Sequence, residues 1–201
     1  MYFKQRLFVV NGRNNILISD PLDPLHFSLY AGINANLGEN DVVTALIPLG
    51  EDMLLILKEN VVLAFTGLAG TSDYWQLQEI TREYGCQAPL TAVRIGSDAW
   101  FSDRHGVASI TLTQFGQQHG VAVPVSDAIA QRFKSVDWAY VSKATAAVWN
   151  NRFFIALPFK GQATKTTDAD GYPKLDSSAP VVNNAVLVYN TLNKGWEDLW
   201  Q

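Results

Sequence analysis

Four times along this chain a strand-like apolar run reaches a short polar turn, and a second apolar run begins straight after it. Leu7-Phe8-Val9-Val10-Asn11 turns through Arg13-Asn14-Asn15 into Ile16-Leu17-Ile18, and Val43-Thr44-Ala45-Leu46-Ile47 turns at Gly50-Glu51-Asp52 into Met53-Leu54-Leu55-Ile56-Leu57. Thr91-Ala92-Val93-Arg94-Ile95 turns at Gly96-Ser97-Asp98 into Ala99-Trp100-Phe101, and Ala146-Ala147-Val148-Trp149 turns at Asn150-Asn151 into Arg152-Phe153-Phe154-Ile155-Ala156-Leu157. The turns lie roughly 40 to 55 residues apart, the period of propeller blades and too long for leucine-rich or ankyrin repeats. A unit of this size cannot bury its apolar face alone and must pack on its neighbours. The expectation is an all-β, propeller-like array of about four β-meander units, forming a single domain over residues 1–201.

Each unit reads as an up-and-down meander. The first offers Leu7–Asn11, Asn15–Ser19 and His26–Leu29, with Pro21 and Pro24 forcing an irregular bridge between the last two. The second offers Val42–Ile47, Met53–Leu57, Val61–Phe65 and the alternating Tyr74–Ile80, with Lys58-Glu59-Asn60 as a tight connection. The third offers Ala92–Ile95, Ala99–Ser102, Val107–Leu112 and Val121–Val125, and the fourth Ala146–Trp149, Phe153–Leu157, Ala185–Tyr189 and Trp196–Trp200. Trp100 and Phe154 are expected to point inward. Ser126–Lys134 reads as one short helix, with Ser126 as its cap and Ile129 and Phe133 on one face.

Between the second and third strands of the fourth unit runs a polar excursion from Lys160 to Asn184, rich in Thr, Asp, Ser, Gly and Pro. A connection that long is usually functional, and it has too few large apolar side chains to pack a core of its own. Thr166, Asp168, Asp170, Tyr172 and Leu175 are its candidate partner-binding residues.

Composition narrows the function. Charged residues are only 17% of the chain, against about 25% in an average soluble domain. Neutral Asn, Gln, Ser and Thr carry the polarity, which suits surfaces that meet other protein surfaces. A net charge of −4 gives no global basic field for specific nucleic-acid binding. No apolar run approaches the ~20 residues of a membrane helix, so no membrane association is expected. The single Cys86 excludes an intrachain disulfide and a cysteine-rich zinc site, and it reads as a small buried hydrophobe.

The chemical candidates are weak. Asp168-Ala169-Asp170-Gly171 resembles the start of a calcium loop, but Ala179 stands where the twelfth-position acid belongs, so an ordinary Asp-Gly turn is the better reading. Ser102, Asp103 and His105 sit close in sequence, but a catalytic triad is assembled in space. A hairpin turn with Gly106 at positive φ explains the same residues. His26 and His119 read as isolated scaffold histidines. The six Trp residues read mainly as packing groups. No cofactor, metal or catalytic activity is expected.

In order, several segments resemble tailed-bacteriophage structural proteins with a β-propeller-like domain, of the tail-nozzle and tail-tubular type. The residues that carry the likeness are Leu54 to Gly67, the Tyr84-Gly85-Cys86-Gln87-Ala88-Pro89 block, and Trp100-Phe101-Ser102-Asp103-Arg104-His105-Gly106-Val107. Ser126-Asp127-Ala128-Ile129, Asn151-Arg152-Phe153-Phe154-Ile155-Ala156-Leu157-Pro158 and Ala185-Val186-Leu187-Val188-Tyr189-Asn190 followed by Trp196 complete it. The resemblance implies a non-enzymatic virion protein of the tail, neck or adaptor, assembled in the bacterial host cytoplasm. Its partners would be other copies of itself and neighbouring virion proteins. The alternative reading is a carbohydrate- or receptor-binding β-propeller module.

Overall fold

In the computed structural model, the residues described are 1–28, 31–38, 40–112, 118–119, 125–160, 163–167, 173–175 and 183–197. The chain is mostly β, in four antiparallel sheets that follow one another along the sequence. Sheet one holds β1 (Tyr2–Phe3), β2 (Arg6–Asn11), β3 (Asn15–Ile18) and β4 (Gly32–Asn34). Sheet two holds β5 (Val43–Leu49), β6 (Met53–Lys58), β7 (Val62–Thr66) and β8 (Gln76–Thr81). Sheet three holds β9 (Val93–Ile95), β10 (Asp98–Asp103), β11 (Gly106–Leu112) and β12 (Gln118–His119). Sheet four holds β13 (Thr145–Trp149) and β14 (Arg152–Leu157), then β17 (Ala185–Asn190) and β18 (Gly195–Trp196), because the hairpin β15 (Ala163–Thr167) and β16 (Pro173–Leu175) is inserted between them.

The turns that mark the repeat are the turns of these sheets. Gly12, Gly50 and Gly96 have φ of 71°, 65° and 61°, and Asn150 and Asn151 have 49° and 58°. Left-handed backbone favours Gly, then Asn, which is why those residue types recur there. With Trp149 paired to Arg152, Asn150 and Asn151 form a two-residue hairpin turn with both centres at positive φ, the form whose twist suits the flanking strands.

Alternation along the strands decides how the sheets stack. In β6 every residue is buried, because its two faces serve two neighbours. Leu54 and Ile56 pack with Phe8, Ile16 and Ile18 of sheet one. Met53, Leu55 and Leu57 pack with Ala99, Phe101, Ala108 and Ile110 of sheet three. Trp100 and Val107 leave sheet three on its other side and meet Phe153, Ile155, Leu157 and Leu187 of sheet four. By contrast β3 alternates exposed and buried, as a strand covered on one face should. The first strands of sheets two, three and four draw close: β9 lies against β5 on one side and β13 on the other.

Three fully buried linker residues, Ala35, Cys86 and Val136, recur at intervals of about fifty residues and tie each sheet to the next. The Ala35 carbonyl accepts from Lys58 Nζ (3.1 Å), and the Cys86 amide donates to the Lys58 carbonyl (2.7 Å). Val136 bridges to Phe159, and the Asp137 amide donates to the Pro158 carbonyl (2.7 Å).

Several expectations need correction. The third strand of unit one is not His26–Leu29 but Gly32–Asn34, since Pro21 and Pro24 keep residues 20–28 out of the sheet; an extra strand, Tyr2–Phe3, precedes it. Lys58 belongs to β6 and is buried rather than lying in the turn. Residues 72–74 form a 3₁₀ turn ahead of β8. The outer strand of sheet three is Gln118–His119, and Val125 lies in a turn, while 121–124 fall outside the described residues. Trp196 closes sheet four in β18, with 198–200 outside the described residues. The helix is one 3₁₀ turn, Asp127–Ile129, leading into Ala130–Phe133. Ser126 does not cap it; its Oγ accepts from the Val107 amide (2.8 Å) and so pins the segment to β11. Phe154 is half-buried, and Phe153 is the residue that enters the core.

Candidate functional site

The inserted hairpin stands apart from the four sheets. β15 and β16 pair with each other, Ala163 opposite Leu175 and Thr167 opposite Pro173, and with no other described strand. Thr166 and Leu175 therefore lie on its strands rather than in an irregular loop. Asp168, Asp170 and Tyr172, and with them the Asp-Ala-Asp-Gly motif, lie outside the described residues. The hairpin is not needed to hold its parent sheet together: β14 and β17 pair continuously from Arg152–Asn190 to Leu157–Ala185. Asn184 closes the neck. Its Oδ1 accepts from the Phe159 amide (2.8 Å), its Nδ2 donates to the Phe159 carbonyl (3.3 Å), and its amide donates to the Leu157 carbonyl (3.2 Å).

The two terminal sheets leave apolar residues uncovered on strands adjoining the repeat turns. On sheet one these are Val9, Val10 and Leu17; on sheet four they are Val148 and Trp149, the latter 68% exposed. The other described tryptophans are packed to a greater degree. Trp100 sits between Phe153 and Tyr189 at ring separations of 5.2 and 5.1 Å, and Trp196 stands 5.2 Å from Tyr189 with Nε1 donating to the Val125 carbonyl (3.0 Å). Burial in that cluster raises the Tyr189 hydroxyl above its usual pKa. At the sheet's rim, hydrogen bonds from Arg152 and then Asn190 lower the Glu197 carboxyl.

The Ser102–Asp103–His105 group does not assemble as a nucleophile and base. Asp103 Oδ2 lies 2.6 Å from His105 Nδ1, while Ser102 Oγ is buried with no partner among the described residues. Adjacent strand residues face opposite sides of a sheet, which separates Ser102 from that pair. Arg104 and His105 make the β10–β11 turn, with Gly106 at φ 136°. Cys86 is fully buried, and burial pushes its thiol up to about 11. Among the described residues no group of three His, Cys, Asp or Glu could hold a metal.

His26 is not isolated. Its Nδ1 is hydrogen-bonded to Asp20 Oδ2, and Ser28 Oγ donates to both Asp20 oxygens at 2.8 and 2.9 Å. The bond to His26, then that to Ser28, lowers the Asp20 carboxyl, and the same carboxyl raises His26. The sequence signal for it is an acid, a His and a Ser spaced within one loop that contains Pro21 and Pro24. That loop holds Leu22 and Leu25 out at 73% and 91% exposure.

No protein-family model and no curated protein matches the sequence.

Proposed function

We propose that this chain is a non-enzymatic structural protein of a tailed-phage virion, its four sheets arranged radially as blades of a propeller-like body in the tail, neck or adaptor. The observation that carries the reading is the stack itself. Four meander sheets follow in chain order, each inner sheet is buried on both faces, and the first strands of sheets two, three and four draw together, while both terminal sheets keep apolar strand residues exposed. Repeats built this way end in polar caps when they act alone. Ends that stay apolar favour continuation by a neighbouring subunit. The order of motifs along the sequence adds the phage-tail assignment.

Immunogold labelling of tailed particles from the source host, with antibody to this chain, tests the assignment. Gold at the neck or tail is expected. Particles that never label, and whose digests contain no peptide of this chain, would overturn it. The exposed Trp149 favours a second reading, a carbohydrate- or receptor-binding module, because an uncovered indole can stack on a sugar ring. A glycan array separates the two: a scaffold leaves it blank.

A further inference from the structure

A cleft of about 520 Å³ opens between the first hairpin of sheet one and the connection that follows β7. A second cleft, sharing Arg6, Pro21 and Thr71 with it, continues toward Ser28 and Trp75. One wall is the Lys4-Gln5 turn, where φ values of 47° and 61° hold two non-glycine residues in left-handed backbone. Such turns are ordinarily filled by Asn-Gly or Asp-Gly, so Lys and Gln there carry local strain. The turn is fastened to the next one by the Leu22 amide, which donates to the Gln5 carbonyl (2.8 Å).

The opposite wall is equally fixed. Asp52 accepts from the Gly67 amide (3.1 Å) and the Ala69 amide (2.7 Å), which anchors residues 67–69. Gly67 has φ 81°, and a Cβ there would meet the Tyr74 carbonyl oxygen at 2.0 Å, so the wall tolerates no side chain at that point.

Between the walls stand two cations. Arg6 donates from Nη1 to the Ser19 carbonyl (3.0 Å) and lies over the Trp75 ring at 5.6 Å; a carbonyl and a ring set the guanidinium in place, and its charge also acts on the nearby Asp20 carboxyl. Lys4 is exposed and has no ion-pair partner among the described residues. The acid in the cleft, Asp20, already accepts from His26 and Ser28. Beside the cations, Leu68, Ala69 and Pro21 supply an apolar floor.

From this juxtaposition we infer that the cleft is a docking site for an acidic peptide segment of a partner protein, in which carboxylates alternate with small apolar side chains. Charge complementarity selects the ligand: a preset guanidinium takes a carboxylate on its free edge, and Lys4 meets a second one. The apolar floor takes the intervening side chains. The inference does not depend on the virion reading, since the same peptide would bind whatever assembly the protein serves.

The test is fluorescence polarisation on the full chain with a labelled peptide of alternating Glu and Ala. Its Gln-Ala counterpart and an oligoglucuronate serve as the comparison ligands. The Glu peptide should bind, the Gln peptide about tenfold or more weakly, and added salt should weaken the first but not the second. Lys4→Glu, at an exposed turn, should reduce binding about tenfold with an unchanged unfolding midpoint. Arg6→Lys, which keeps the charge but loses the planar fork, should also weaken it. Equal binding of both peptides, undiminished binding to Lys4→Glu, or no binding of either peptide would overturn the proposal. So would binding of the glucuronate alone, which would make this a site for acidic sugars.

Discussion

At Phe153 and Phe154 the sequence offers two adjacent aromatic residues, and only the strand's phase decides which enters the core. Phe153 is fully buried against Trp100 and Trp196, and Phe154 faces the other side of β14, half-buried. Phe153→Ala should therefore cost about 3–5 kcal/mol, and Phe154→Ala clearly less. Urea unfolding midpoints of the two variants measure the difference, and equal losses would contradict this register. A second residue-scale test uses His26. Its folded pKa is raised and that of Asp20 is lowered, each by their mutual hydrogen bond. The raised His contributes fully below its unfolded pKa and loses its contribution as pH rises through the folded value. The lowered Asp contributes above its unfolded pKa and loses its contribution as pH falls through the folded value. The contact is thus complete between the two unfolded values, in the mildly acidic range. In a ¹H–¹⁵N titration His26 should protonate above its ordinary value of 6.5, and Asp20→Asn should bring it down. A titration unmoved by that substitution would break the pairing.

The elements show which parts of the chain are readable from sequence and which are not. β6, β10, β11, β14 and β17 are legible because their apolar composition and alternation are strong, and because Gly or Asn marks the turn before three of them. The short edge strands are not. β1 and β4 have only two and three residues, and their pairing is decided by the neighbouring strand rather than by their own pattern. The role of Ser126 is hidden for a related reason: a Ser before an Asp suggests a cap, but tertiary contact with the Val107 amide takes its hydroxyl. The inserted hairpin is legible as an excursion, since its composition cannot form a core, though not as paired strands. Because β14 and β17 pair without it and Asn184 closes the neck, replacing residues 161–182 with an Asn-Gly turn should leave the chain folded. Loop length itself changes closure entropy by only about 0.6 kcal/mol per doubling. Circular dichroism and thermal melts of the shortened chain check this, and loss of the cooperative transition would show the hairpin to be structural.

For the whole molecule the organising fact is that three apolar interfaces join four sheets in sequence order, while the two terminal sheets keep Val9, Leu17 and Trp149 uncovered on their outer faces. None of the described core clusters joins sheet one to sheet four. The exposed ends are not visible in the sequence, because β2 and β13 have the same apolar character as the strands that are covered. Scarcity of charge argues that contacts made through these ends are broad and only weakly sensitive to salt. The most direct test is sedimentation velocity over a wide range of protein concentration, comparing the native chain with Leu17→Glu and Trp149→Glu, each on the outer face of a terminal sheet. The 22.2 kDa chain should pass into larger species as concentration rises, at low and at moderate salt alike, and either charge substitution should return it toward the monomer while leaving the fold intact. A native chain that sediments as a monomer at every concentration, or assembly that both substitutions leave untouched, would contradict it.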